Sequence, residues 1–157
     1  MKKVNRLKKD LTSVVEAIEK YEADLYGWKE NLSLDNKNIE IVNIEQVSWL
    51  GYYDEIKVQL KIMLDFLDHL LKEQKATAMK LLYNTMNKSV SDRTVEKLAE
   101  DINRYKDLFV LYLEVKELYM LAESIVNQLQ QRSYSINNII KIREKELEGI
   151  TLHIDND

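Results

Sequence analysis

The sequence predicts an all-α protein: an elongated antiparallel hairpin of long helices, with an N-terminal helix and a short C-terminal helix, that assembles into a homo-oligomer. The 157 residues include no proline and only three glycines, so few positions interrupt a helix. Apolar residues recur at helical spacing over several long segments. One of these segments has a wider apolar surface than a single packing partner requires, which favours self-assembly.

The N-terminal region carries the first of these repeats. Apolar residues at steps of three and four predict a helix from near Lys3 to Tyr26, with Gly27 as its stop. The polar stretch from Trp28 to Asn38 predicts a linker, because Asn, Ser and Asp side chains compete with helical backbone hydrogen bonds. Residues 1–38 are therefore expected to form an N-terminal helix and linker, an accessory arm loosely attached to the rest.

Two long helices are predicted next. The second helix is expected to start within residues 39–46, to be interrupted early by Gly51 and to end near Asn87. Ser91 is the expected N-cap of the third helix, which includes the segment from Leu98 to Leu129. Because only a short turn separates them, these two helices should form an antiparallel hairpin.

The last predicted boundary lies in a serine-containing stretch. The third helix is expected to end at Arg132–Ser135, with Ser135 capping a short C-terminal helix that Gly149 terminates. Residues 39–149 would then form the hairpin and a C-terminal assembly helix. Residues 150–157 would form a flexible acidic tail.

The third predicted helix has two apolar faces. One is a heptad seam that includes tyrosines seven residues apart, at Tyr105, Tyr112 and Tyr119. These rings are expected to pack in the interior; a stacking platform for nucleotide bases is the alternative. The second face exceeds what one small core needs, so another copy of the chain is expected to cover it. It comprises Leu111, Leu118 and Ile125.

The sequence does not suggest an enzyme. It contains no glycine-rich phosphate loop, nucleophile elbow or clustered histidine motif, so neither catalytic residues nor a cofactor is expected. Asp65, His69 and Glu73 lie one helical turn apart, but a histidine flanked by acids is more often a solvated ion pair than a metal ligand. No metal is therefore expected.

The compartment is indicated by what the composition lacks. Without cysteine the chain forms no disulfide, which suits an intracellular protein. No segment reaches the roughly 18 consecutive apolar residues that a membrane-spanning helix needs. We therefore expect a cytoplasmic protein with no membrane partner.

Charge is unevenly distributed although the net charge is only -4. Residues 57–93 contain seven basic and four acidic side chains, whereas residues 94–131 contain four basic and seven acidic ones. Basic side chains near the predicted turn are numerous enough to hold phosphates if several copies align; a solvated lysine face is the alternative. They are Lys72, Lys75, Lys80, Lys88 and Arg93.

Three short motifs of the chain combine basic, apolar and aromatic residues in a recognisable order. In the longest, Leu129–Arg143, an apolar helix meets an arginine and a small residue, followed by an aromatic residue, isoleucines at helical spacing and a final arginine. The others are the basic segment Gln74–Lys80 and the pair Trp49–Leu50 followed by Ile56–Lys57. Together these motifs resemble the UvsY-type recombination mediators of T4-like phages, with Gln74–Lys80 similar to the family's basic DNA-contacting segment.

The resemblance covers only part of the chain. It covers about Ile44 to Leu147, and residues 1–38 have no counterpart. Leu82 stands where the family has a further arginine, so Lys80 carries over most firmly, followed by Lys75.

The resemblance implies a function and partners. A UvsY-type protein is a homo-oligomer, ring-like in form, that binds single-stranded DNA, contacts a single-strand-binding protein and helps load a RecA-class recombinase. A phage protein of this type would act in the cytoplasm of an infected bacterium. The alternative is a non-enzymatic helical scaffold, assembly or inhibitor protein that acts through protein–protein contacts.

The resemblance also implies site residues. Lys75 and Lys80 are the first candidates for phosphate contact. Further candidates are Lys72, Lys88, Arg93, Arg132, Lys141 and Arg143. The family assembles through its C-terminal helix, so the expected oligomer interface joins the second apolar face to that helix. It comprises Leu111, Leu118, Ile125, Tyr134, Ile136, Ile139, Ile140 and Ile142.

Overall fold

The described part of the chain is almost entirely helical. The computed structural model describes residues 11–32, 38–86 and 90–154, except for the side chains of Thr12, Ser13, Asn31 and residues 147–154. No strand occurs within these residues, so the all-α prediction is confirmed. The helices are α1 (Thr12–Tyr26), α2 (Trp28–Asn31), α3 (Ile39–Thr85), α4 (Asp92–Glu100) and α5 (Asn103–Ile154).

The N-terminal region contains two helices. The prediction that the first helix stops at Gly27 is confirmed; its predicted start near Lys3 lies outside the described residues. Gly27 has a φ of -79°, in the right-handed region, so the chain enters α2 directly. The linker prediction is wrong for Trp28–Leu32, because Trp28–Asn31 is helical and its C-cap, Leu32, is buried. The rest of the predicted linker, residues 33–37, lies outside the described residues.

The helix α3 covers the range predicted for the second helix, without the predicted interruption. It starts at Ile39, where the Asn38 side-chain oxygen accepts the Glu40 backbone N–H at 2.9 Å. It ends at Thr85, two residues before the expected end. Gly51 does not interrupt it, because strong helix formers and apolar contacts on both sides outweigh the cost of one glycine. Its 47 residues span about 70 Å.

The predicted third helix is divided near its start. Ser91 is the N-cap, as expected: its Oγ accepts the Thr94 backbone N–H at 3.4 Å. The helix that it caps is only α4, which ends at Glu100, and α5 begins at Asn103. The short break carries Asp101, which competes with helical backbone hydrogen bonds and forms an ion pair with Lys106 at 3.0 Å.

The predicted break at Arg132–Ser135 is absent, and α5 continues through it. The Oγ of Ser133 donates to the Leu129 carbonyl at 3.0 Å, and that of Ser135 to the Gln131 carbonyl at 3.3 Å. Both serines therefore bond back into the preceding turn instead of capping a new helix. Gly149 also lies within α5, so the predicted tail is helical as far as Ile154; residues 155–157 lie outside the described residues.

One hydrophobic core joins α1, α3 and α5. The largest fully buried side chains come from all three helices and include Leu25, Tyr53 and Ile125. Gln46, near the start of α3, donates to the carbonyl of Leu129 in α5, whereas residues near the end of α3 contact α4. Opposite ends of α3 are thus held by different parts of the C-terminal half.

The second apolar face of the third predicted helix is covered by this chain's own N-terminal region. Leu118 and Ile125 are buried in the single chain, and Leu118 lines the same groove as Ile18 of α1. The argument that this face requires a second copy is therefore wrong, because α1 supplies the missing partner. The expectation of a loosely attached arm is wrong for α1 for the same reason.

Candidate nucleic-acid interface

The basic segment at the end of α3 lies against the acidic face of α4. The Lys75 ammonium is 2.5 Å from Glu96 Oε1 and 2.7 Å from Glu100 Oε1. The hydrogen bonds to Glu100 and Glu96 raise the pKa of Lys75 above its usual value. Two carboxylates thus neutralise the first candidate for phosphate contact, and a phosphate would have to displace them.

The other lysines of this segment are not equivalent. Lys72 is exposed and forms an ion pair with Asp68 at 2.6 Å, which raises its pKa. Lys80 is exposed and makes no hydrogen bond or ion pair with any described residue. At about 100° per residue, Lys80 lies roughly 140° around α3 from Lys75, away from α4. Within the described part of the chain, Lys80 is therefore a cation without an acidic partner.

Arg93 is a further predicted phosphate contact near the end of α3. It lies in the first turn of α4, is exposed, and has no ion-pair partner among the described residues. Nearby, the Tyr83 hydroxyl donates to Asp92 Oδ1 at 2.5 Å, and this hydrogen bond raises the pKa of Tyr83. Lys88, another predicted contact, lies outside the described residues.

Glu96 and Glu100, the partners of Lys75 in the basic segment, were not predicted from the sequence. A signal was present: residues 57–93 and 94–131 have opposite net charges and were predicted to lie against each other. Opposite charges on facing helices attract, so pairing was the expected consequence. The free cationic surface is accordingly smaller than the lysine count alone indicates.

Arg132 lies in a different environment. Its Nη1 donates to the Leu32 carbonyl at 2.8 Å, its Nε is buried with no hydrogen-bond partner among the described residues, and burial lowers its pKa. The predicted phosphate contact at Arg132 is therefore wrong, since the side chain holds the end of α2 against α5. Gln46, which is 2% exposed, makes a comparable link by donating to the Leu129 carbonyl at 2.7 Å.

Lys141 and Arg143 form a second, separate group of cations. Both are exposed on α5 and form no ion pair with a described residue. α5 is continuous, so Lys141 lies about 55 Å along its axis from Arg104 at its first turn. Within one chain, the structure does not bring these residues together with Lys80 and Arg93.

The predicted oligomer interface contains both buried and exposed residues. Leu118, Ile125 and Ile136 are buried within the chain, and Leu111 is half-buried against the core. Ile140 is also half-buried. The side chains that remain exposed are Tyr134, Ile139 and Ile142. Among the residues predicted for the interface, the exposed ones therefore all lie in the C-terminal part of α5.

The heptad tyrosines pack against the core. Tyr105, Tyr112 and Tyr119 are half-buried against it, as the interior interpretation expects. Phe109 lies between two of them, with ring centroids 6.3 Å from Tyr105 and 6.2 Å from Tyr112. The rings thus contact one another and the core instead of forming a free stacking platform.

The residues Asp65, His69 and Glu73 make separate surface contacts within α3. His69 Nε2 is 3.4 Å from Glu73 Oε1, while Lys61 contacts Asp65 at 3.0 Å. Across the described residues, no three His, Asp or Glu side chains come together as a metal site would require. Nor does any helix in the described ranges combine the length and apolar character needed to cross a bilayer.

Comparison with known proteins identified no relative of this chain. No protein-family model matches the chain, and neither a curated protein nor a solved structure is significantly similar to it.

Proposed function

We propose that this chain is a recombination mediator that binds single-stranded DNA and helps load a RecA-class recombinase onto DNA covered by single-strand-binding protein. The resemblance of Trp49–Leu50, Gln74–Lys80 and Leu129–Arg143 to UvsY-type proteins suggests this function. The observation that supports it best is that Lys80 and Arg93, on either side of the chain reversal between α3 and α4, are exposed and have no acidic partner among the described residues.

The proposed architecture is an oligomer of antiparallel helical hairpins. α3 would pair lengthwise with α4 and α5, and the exposed apolar side chains of Tyr134, Ile139 and Ile142 would join copies into a ring-like assembly. Repetition around such an assembly would multiply a weak phosphate contact made by Lys80 and Arg93. Lys141 and Arg143 would supply a second row of cations.

A salt titration tests the DNA contact. Lys80→Glu/Arg93→Glu should weaken binding of a fluorescent single-stranded oligonucleotide. If each residue contacts one phosphate, the slope of log affinity against log salt should become shallower by about 1.4, at about 0.7 per phosphate. The matched control is Lys20→Glu/Lys116→Glu, which makes the same charge change at exposed positions elsewhere. Equal losses in both variants would show that only net charge matters and would refute the assignment.

A second candidate function is a helical scaffold that acts through protein contacts. It is favoured by the pairing of Lys75 with Glu96 and Glu100, which removes a cation from the basic segment, and by exposed apolar side chains along α5 such as Phe109 and Met120. Measurements on the parent protein distinguish these two candidate functions. An oligomer in light scattering that leaves the oligonucleotide unbound at low salt favours the scaffold.

A further inference from the structure

A groove with an apolar floor lies between α1 and α5. It encloses about 290 Å³, and its floor comprises Val15, Ile18, Tyr26 and Leu118. Ile18 and Leu118 are buried at its base, whereas Val15 and Tyr26 are 43% and 59% exposed. Pockets for small molecules are typically about 300–1,000 Å³ and more enclosed by protein, so this groove suits a few side chains of a polypeptide better.

Carboxylates line the rim of this groove. They are Glu19 and Glu22 on α1 and Glu114 and Glu117 on α5. All four are exposed, and none forms an ion pair or hydrogen bond with a described residue. This contrasts with Glu96 and Glu100, which a lysine bridges. Four unpaired acids beside apolar surface repel nucleic acid and attract a basic amphipathic segment.

The chain itself contains such a segment at residues 1–10. It carries five basic side chains and one acidic one, with Met1, Val4 and Leu7 spaced three residues apart so that a helical arrangement would align them. Basic residues flank this apolar series: Lys2, Lys3, Arg6, Lys8 and Lys9. The pattern is complementary to an apolar floor with acidic rims.

The direction of the chain at Leu11 favours a groove on another copy. Leu11 already has right-handed helical dihedrals, and its carbonyl accepts the backbone N–H groups of Val14 and Val15. At Leu11 the N-terminal end of the helix axis therefore points away from the groove. The groove begins at Val15 and extends the opposite way, about 16 Å along α1 to Tyr26.

We propose that the groove between α1 and α5 binds the basic N-terminal segment, residues 1–10, of a second copy of this chain. The contact is heterologous, since each copy offers its groove to one neighbour and its N-terminal segment to another. This proposal rests on the self-association in the proposed function. It adds a second contact between copies, separate from the one proposed for the C-terminal part of α5.

Neutralising the net charge on each side of the contact tests it. Glu22→Lys/Glu117→Lys takes the four groove carboxylates from a net charge of -4 to zero, and Lys3→Glu/Lys8→Glu takes residues 1–10 from +4 to zero. Each variant should self-associate about tenfold more weakly at low salt, because the net attraction across the contact is removed. An equimolar mixture of the two variants should associate more tightly than either variant alone, since the acidic groove of one then meets the basic segment of the other. The readout is the molar mass in light scattering across a dilution series.

The matched control is Glu16→Lys/Glu30→Lys, which makes the same charge change at exposed positions outside the groove. If groove and control variants associate equally well, or if the mixture is not rescued, the proposal is wrong. A parent that stays monomeric at every concentration overturns both this contact and the proposed assembly. A parent that remains oligomeric with unaffected groove variants overturns this contact alone.

A cross-link provides a second measurement that does not depend on charge. The chain has no cysteine, so Lys8→Cys in one copy and Glu117→Cys in another supply one thiol each. Oxidation of the mixture should give a cross-linked dimer of the two variants, in higher yield than a mixture of Lys8→Cys with Glu16→Cys. If the double variant Lys8→Cys/Glu117→Cys forms its disulfide within one chain at high dilution, the segment occupies its own groove and the second copy is excluded.

Discussion

At the residue scale, the role of a lysine depends on the helix that faces it. Lys75 and Lys80 belong to the same basic motif, yet Lys75 is bridged by two carboxylates and Lys80 points away from α4. The five-residue spacing produces this difference, because it rotates one side chain roughly 140° from the other on a helix. Counting the basic residues of a motif therefore overestimates the cationic surface, because some of them are already paired with carboxylates.

A tyrosine–aspartate hydrogen bond links α1 to α3. The Tyr52 hydroxyl donates to Asp24 Oδ2 at 2.7 Å, and this bond, with burial and the Asp24 charge, raises the pKa of Tyr52 to about 12. The folded state therefore favours the neutral hydroxyl. The stabilisation is complete below the ordinary tyrosine pKa of about 10 and is lost as the pH rises through about 12.

We predict that Tyr52→Phe removes this part of the alkaline pH dependence. The free energy of unfolding of the parent should decrease between about pH 10 and 12 more steeply than that of the variant. Urea unfolding at several pH values measures it, and tyrosinate absorbance should show one fewer late-titrating tyrosine. Tyr26→Phe is the control, since this exposed ring has no hydrogen bond to a described residue. Parallel pH profiles for parent and Tyr52→Phe would contradict the prediction.

At the element scale, helix boundaries depend on local hydrogen bonds more than on isolated helix breakers. Gly51 and Gly149 lie inside helices, and Ser133 and Ser135 bond back to the preceding turn. The boundary predicted from a capping side chain at Ser91 is confirmed, whereas the one predicted at Ser135 is absent. The break after Glu100 was missed because apolar periodicity continues across it.

Gly51 provides a direct test of this account of α3. It is an exposed residue within the helix, and a Cβ atom added there would meet nothing within 4 Å. Gly51→Ala should therefore raise the free energy of unfolding by about 1 kcal/mol, because alanine loses less backbone entropy in a helix. Thermal and urea denaturation measure the change. Ala76→Gly, at another exposed position of α3, should lower stability by a similar amount. A destabilised Gly51→Ala variant would mean that the glycine serves a contact with another molecule.

At the scale of the whole molecule, the packing of α1 against α5 determines which apolar side chains of α5 are covered. By covering Leu118 it leaves exposed apolar side chains on the C-terminal part of α5, at Tyr134, Ile139 and Ile142. Isolated exposed apolar residues are ordinary on protein surfaces. Here they share one continuous helix, which is the arrangement that self-assembling helices use.

We predict that Ile139→Glu/Ile142→Glu lowers the molar mass of the assembly in light scattering, because burying two carboxylates between copies is costly. Helix content measured by circular dichroism should be unchanged, since both side chains are exposed in the single chain. The control variant is Ile44→Glu/Val47→Glu, which makes the same charge change at more exposed apolar residues of α3. If the control dissociates the assembly and Ile139→Glu/Ile142→Glu does not, the copies meet through α3 instead.

The sequence by itself determined the helical class, the approximate extent of α3 and the heptad seam of α5, since apolar periodicity and the lack of proline are local properties. It also identified Gly27 and Ser91 as boundaries for the same reason. Only the tertiary structure decided that α1 covers Leu118, that Glu96 and Glu100 bridge Lys75, and that Arg132 binds the Leu32 carbonyl. The hydrogen bonds among these contacts join residues that are between 21 and 100 positions apart in the sequence. Their geometry therefore depends on how whole helices pack.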